Sequence, residues 1–219
     1  MKITISKENY LKAIAEAESE GEIVKAATLA RWLNVSPPAV TMAIKRLKRD
    51  ALIDVGGEGQ LTLTSAGREI ANRLLQRHHL IERMLTEIFG MEWYKVHDEA
   101  EQLEHAVSAD FERRLVDKLG AGLSCPHGNR VDRDTPQDRR ARGLRPLSEM
   151  LPSQAARIVS VFERDRKLLE YLHGLGIRPG ASVQTVSRNY DDTLTLRIGG
   201  EAVQLGSGAA EKVWVEQTA

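Results

Sequence analysis

The 219-residue chain has a single cysteine, Cys125, which excludes an internal disulfide framework and fits a reducing compartment. It lacks an apolar signal region at its start and any run of about 18 apolar residues able to cross a bilayer, so a cytoplasmic protein without a membrane partner is expected. It also lacks net charge: Lys+Arg and Asp+Glu both number 31, and the balance points to no partner class. No His-Glu-x-x-His pattern, no nucleophile elbow and no internal repeat is present. What remains is a length suited to roughly one to three small domains and a hydrophobic share of 42%, enough for ordinary cores.

The distribution of charge says more than its sum. Between Pro37 and Asp50 stand Lys45, Arg46, Lys48 and Arg49 against Asp50 alone. Between Gly90 and His105 stand Glu92, Asp98, Glu99, Glu101 and Glu104 against Lys95 alone. A basic stretch followed by an acidic one suits a protein that meets a polyanion with one part and a cation with another.

Ser6 to Glu18 reads as an amphipathic helix with Tyr10, Leu11, Ile14 and Ala17 on its apolar side. A short helix from Lys25 to Asn34 follows, and after Val35-Ser36 the pair Pro37-Pro38 opens a third, where proline is tolerated because first-turn amides lack intrahelical partners. Two short helices joined by a tight turn, the second basic, make a helix-turn-helix. Leu52–Val55 and Gln60–Thr64, around Gly56, Gly57 and Gly59, form a hairpin or wing. Any three-helix bundle with a hairpin shares this composition, but the order of elements favours a winged DNA-binding domain.

Thr64-Ser65 caps a long helix from Ala66 to about Phe89, and a second long helix spans about Trp93 to Leu119. Their apolar residues, including Leu74, Leu85, Val107 and Phe111, leave surface for a partner helix, so a self-associating helical domain is expected. Residues 120 to 144 read as loop and linker. Beyond Pro146, apolar runs at 157–162, 180–186, 193–198 and 212–215 with a helix at 168–172 indicate a small, mainly β, barrel-like domain. The expected division is 1–73, 74–140 and 147–219.

On one helix His97, Glu101, Glu104 and His105 fall within about 120° of arc. His78 and Glu82 repeat the i, i+4 spacing on the preceding helix. Imidazoles and carboxylates converging between helices are how bundles hold divalent metal. The plainer reading is a solvated charged face.

These stretches together resemble the diphtheria toxin repressor-like, metal-dependent transcriptional regulators. The carriers are Glu8 to Ile14, Arg77 to Arg83, Val96 to His105, Phe111 to Leu115, Cys125-Pro-His-Gly-Asn129 and Ile177-Arg-Pro-Gly180. The resemblance implies a winged helix, a helical metal-binding and dimerisation domain, and a C-terminal SH3-like (FeoA-like) domain. It implies a repressor that binds palindromic operator DNA as a homodimer and controls metal homeostasis genes. It also implies a primary metal site at Asn9, Glu101, Glu104 and His105. Iron-type members carry Met and Cys where this chain has Asn9 and Glu101, and manganese-type members carry Asp and Glu. Glu101 therefore fits the manganese pattern and Asn9 departs from both. Hard O/N donors suit Mn²⁺ or, alternatively, Fe²⁺, with Zn²⁺ or Co²⁺ substituting in vitro.

For a second site the resemblance offers two sets. One is His78, Glu82 and His97 with acids of the C-terminal domain. The other is Glu82, Cys125, His127 and Asp165, with Glu163 as a competing neighbour. Lys12 replaces a glutamate of the two-domain manganese regulators, whose binuclear site is not expected here.

On the recognition helix Ser36, Pro38, Ala39 and Met42 are expected to face the groove, reading thymine methyls and shape. Thr41, Arg46 and Arg49 are expected to hold phosphates. Core packing is the competing reading of Met42. Two other classes stay open: a winged-helix regulator sensing a small organic molecule, and a metal-dependent hydrolase.

Overall fold

The computed structural model describes residues 3–120, 122, 124–131 and 134–218. Positions 121, 123, 132 and 133 of the expected linker therefore lie outside the described residues.

Helix α1 (Ile5–Ser19) is started by Thr4, whose hydroxyl accepts from the Lys7 amide, and buries Tyr10, Leu11, Ile14 and Ala17. Helix α2 (Ala26–Leu33) ends at Asn34 in the left-handed region (φ 50°), which an asparagine tolerates. Helix α3 (Pro37–Arg49) opens on its two prolines. Strands β1 (Ile53–Val55) and β2 (Leu61–Leu63) pair antiparallel, with Ile53 opposite Leu63. Their tip turns through Gly57–Gly59. Leu11, Ile14, Leu29, Val40, Leu47, Ile53 and Leu61 form one core, so the winged helix-turn-helix is present as read.

Helix α4 (Ser65–Arg83) runs into a π-turn at Met84–Ile88. The second long helix is in fact two: α5 (Val96–Leu103) and α6 (Ala109–Leu119). Ser108 breaks the run, because its hydroxyl accepts from the Phe111 amide and starts a new helix. The helical periodicity continues across the break and hides it. Leu80, Ile81, Leu85, Val96, Ala100 and Leu115 make the core of this domain.

Helix α7 (Pro136–Ala141) lies in the stretch expected to be linker. A reciprocal cap between Thr135 and Asp138 stabilises it, not an apolar face. The last domain comprises β3 (Leu144–Pro146), β4 (Ala155–Val161), α8 (Arg166–Gly174), β5 (Ser182–Arg188), β6 (Leu194–Ile198), β7 (Glu201–Leu205), α9 (Ser207–Ala210) and β8 (Val213–Gln217). Its six strands form an antiparallel sheet in the order β3-β8-β4-β5-β6-β7. Ile158, Val161, Leu172, Val183, Leu196 and Val213 fill its core. Edge strands β3 and β7 were not expected, being short or half-exposed. Among the described residues no helix is long and apolar enough to cross a membrane.

Candidate metal centre

Five pieces of chain meet at the junction of the three domains. Helix α1 supplies Asn9, Lys12 and Glu16, and α4 supplies His78, His79 and Glu82. Helix α5 and the turn after it supply His97, Glu101, Glu104 and His105. The Cys125–Asn129 loop faces Glu163, which with Arg164 follows β4. That loop docks closely: Gly128 has φ +84°, and a Cβ there would stand 1.9 Å from the Val159 carbonyl oxygen.

His97, Glu101, Glu104 and His105 do not share one helix, since α5 ends at Leu103. The turn still presents Glu104 and His105 toward α1. His105 Nε2 donates to Asn9 Oδ1 at 2.7 Å and lies 3.5 Å from Glu104 Oε1. The other oxygen, Glu104 Oε2, is 2.8 Å from Lys12 Nζ and 2.6 Å from His78 Nδ1. Glu101 Oε1 lies 3.2 Å from Arg164, 3.6 Å from His97 Nε2 and 3.9 Å from Lys12. Asn9, Glu104 and His105 thus converge, while Glu101 is turned toward the arginine.

The second donor group centres on Glu82, which is fully buried. Its Oε1 is 3.1 Å from His78 Nε2, 3.3 Å from His97 Nδ1 and 3.4 Å from His127 Nδ1. Glu163 Oε2 lies 3.2 Å from the Cys125 sulfur and 3.5 Å from His127 Nδ1. Both expected second sets therefore meet at the one carboxylate of Glu82. Asp165 does not join them. It is exposed, and its carboxylate caps α8 by accepting from the Leu168 amide at 3.0 Å. The buried acid beside the cysteine is Glu163. His79 went unnoticed in the sequence because it neighbours His78 and points to another side of α4. It nevertheless places a ring nitrogen within 4.8 Å of donor atoms of Glu82, Cys125 and Glu163.

The electrostatics follow from this packing. Burial pushes the Glu104 carboxyl up, but His78 and Lys12 outweigh it and hold it at about 2. Burial and Lys12 push His78 down, yet Glu82 and Glu104 raise it to about 9. His127 is likewise raised, against burial, to about 10 by Glu82 and Glu163. Burial lowers His79 to about 4, so it is a neutral imidazole. Burial, with Glu163 and Glu82, pushes the Cys125 thiol well above its usual range.

The donors suit a divalent cation. Glu82 Oε2, His79 Nδ1 and His127 Nε2 are buried without a hydrogen-bond partner in the protein, an arrangement that is costly unless something pairs with them. Around Asn9 the donors are oxygen and nitrogen only, whereas the group at Glu82 includes a sulfur.

The recognition helix α3 leaves Ser36, Pro38, Ala39, Thr41, Met42, Arg46 and Arg49 all exposed. Met42, 50% exposed, is not a core residue. The Thr41 hydroxyl donates to the Pro37 carbonyl at 3.0 Å, and Arg49 Nε donates to Asp50 at 3.2 Å.

Residues 2–61 match the iron dependent repressor N-terminal DNA binding domain, 64–132 the iron dependent repressor metal binding and dimerisation domain, and 145–217 the FeoA domain. The chain is 33% identical to a diphtheria toxin repressor of Corynebacterium efficiens, over 96% of this chain and 94% of that protein. It is 33% identical to the iron-dependent repressor IdeR of Mycobacterium leprae, over 96% of each. A manganese-dependent transcriptional repressor solved in complex with manganese superposes with a TM-score of 0.85 at 30% identity, covering 97% of this chain and 100% of that one. The chain therefore belongs to the diphtheria toxin repressor family of iron- or manganese-dependent transcriptional repressors.

Proposed function

We propose that this repressor is a non-enzymatic cytosolic sensor of Mn²⁺, with Fe²⁺ as the alternative ion, that represses metal homeostasis genes. The observation that carries the reading is the convergence of Asn9 from α1 with Glu104 and His105 from the dimerisation domain. Asn9, Glu104 and His105, joined by a reoriented Glu101, would hold the ion. All are hard donors without sulfur, which favours Mn²⁺ or Fe²⁺ by ligand type. The bound cation would add positive charge at Asn9 Oδ1 and at Glu104 Oε1, the carboxylate oxygen that Lys12 and His78 do not engage. Asn9 is then tied to the two-fold scaffold and the recognition helices keep one separation, so ion and DNA tighten each other by linkage. Zn²⁺ or Co²⁺ would substitute in vitro. A second ion would be held at Glu82 by His78 and His97, or by Cys125, His127 and Glu163, with His79 in reach.

In the homodimer, Ser36, Pro38, Ala39 and Met42 would read groove edges of a pseudo-palindrome, while Thr41, Arg46 and Arg49 hold phosphates. The cleft between the domains, lined by Asn9, Lys12, Trp32, Glu101, Glu104 and Arg164, measures about 360 Å³ and is walled largely by charged and polar side chains, which suits an ion and its waters. Mobility shifts on operator DNA with a panel of divalent cations at buffered free concentration test the reading. Retardation that needs Mn²⁺ or Fe²⁺ supports it, and retardation indifferent to metal contradicts it.

A further inference from the structure

Arg164 belongs to the third domain, yet its guanidinium reaches both of the others. One Nη is 2.7 Å from Glu16 on α1 and 3.2 Å from Glu101 on α5. The other Nη donates to the Trp32 carbonyl at the end of α2 at 3.2 Å, and the guanidinium lies over the Trp32 ring at 5.1 Å. Its side chain is only 18% exposed. Lys12 Nζ stands 3.9 Å from both Glu16 and Glu101 but is held more closely by Glu104, at 2.8 Å, whose same oxygen takes His78 Nδ1 at 2.6 Å. Glu16, Glu101 and Glu104 thus share two fixed cations. Of these, Arg164 is the one in hydrogen-bonding range of Glu101.

We propose that Arg164 is a built-in counter-cation that competes with the incoming divalent ion for Glu101, so that the third domain sets the free-metal concentration at which the repressor loads. The inference rests on the reading of Glu101 as a ligand. A carboxylate oxygen engaged with this partly buried guanidinium gives up a charge-assisted hydrogen bond before it coordinates an ion. Loading therefore works against the Arg164–Glu101 pair, and by linkage the pair weakens loading by the same factor. Glu16 and Trp32 keep Arg164 in place when Glu101 leaves, so the competing charge stays beside the site.

The test is calorimetric titration of the full-length, metal-free dimer with Mn²⁺ alone, without DNA, for Arg164→Gln, Glu101→Gln and the double variant. Arg164→Gln is expected to tighten Mn²⁺ at least about fivefold where Glu101 is present and to do nothing where it is Gln, a coupling of ordinary size for linked sites. Thermal unfolding of the same metal-free set is expected to show coupling between positions 164 and 101. Where Arg164→Gln does not fold, Arg164→Lys is expected to tighten Mn²⁺ by a smaller factor, because a single ammonium pairs less well with a carboxylate than the planar fork does. Unchanged or weaker affinity in Arg164→Gln, or an equal gain in both backgrounds, overturns the competition while leaving Glu101 as a ligand. Mn²⁺ affinity indifferent to Glu101→Gln overturns that ligand assignment and the competition with it.

Discussion

His105 Nε2 sits 2.7 Å from Asn9 Oδ1, so one hydrogen bond joins the turn after α5 to the first helix of the DNA-binding domain. Glu104, beside it, divides its carboxylate between this junction and the buried pair Lys12 and His78. Glu8, Asn9 and Lys12 on α1 thus face Glu104 and His105 across the junction of the two domains.

Glu104→Ala and His105→Ala are expected to abolish metal-dependent DNA binding while leaving a folded dimer, as read by mobility shift and by sedimentation. Asn9→Asp adds a charged oxygen at the same place and is expected to raise Mn²⁺ affinity about fivefold or more, since ligand charge is a main determinant of cation affinity. Retention of the metal response in both alanine variants would remove the junction from the mechanism.

The pH dependence of the metal-free protein follows from the same groups. Glu104 is depressed to about 2 in the fold, so its contribution is present above the ordinary carboxylate range and is lost as pH falls toward 2. That contribution is on the order of 3 kcal/mol. Glu104→Gln is expected to flatten the acid limb of a stability profile. His78 and His127, raised to about 9 and about 10, act in the opposite sense: their contribution is complete below about 6.5 and fades as pH rises through 9 to 10. Both imidazoles hold protons at neutral pH, so metal uptake at Glu82 is expected to release protons. Calorimetry in buffers of different ionisation enthalpy measures the release.

Glu163 and Asp165 stand two residues apart and are expected to behave differently. Glu163→Gln is expected to lower the occupancy of a second ion, because its carboxylate meets Cys125 and His127. Asp165→Ala is expected to cost about 1 kcal/mol of stability through the lost cap of α8, with no change in metal stoichiometry. Metal analysis by mass spectrometry of the native dimer separates them.

Arg49 is exposed at the end of the recognition helix and is paired with its neighbour Asp50. Arg49→Ala is expected to weaken binding to all DNA sequences and to reduce the slope of log affinity against log salt by about one. An unchanged slope would take Arg49 out of the phosphate contacts.

Local signals made much of this legible in the sequence. The proline pair, the Asn34 stop and the glycines of the wing mark the DNA-binding domain, and i, i+4 spacing marks His78 and Glu82. Tertiary packing decided the rest. The break at 104–108 was hidden by a periodicity that runs through it, although Ser108 is a cap that could have been read. Helix α7 has no apolar period, and β7 is a half-exposed edge. The docking of the Cys125 loop on β4 buries Glu163 and leaves Asp165 in solvent, although Asp165, like Ser108, is a cap that could have been read. The reach of Arg164 into two other domains has no sequence signature.

The central claim is tested most directly by anomalous diffraction at the manganese edge from crystals of the Mn²⁺-loaded dimer. An anomalous peak bonded to Asn9 Oδ1, Glu104 and His105 Nε2 is the predicted result. No peak there, in protein that still needs Mn²⁺ to hold its operator, would contradict the account.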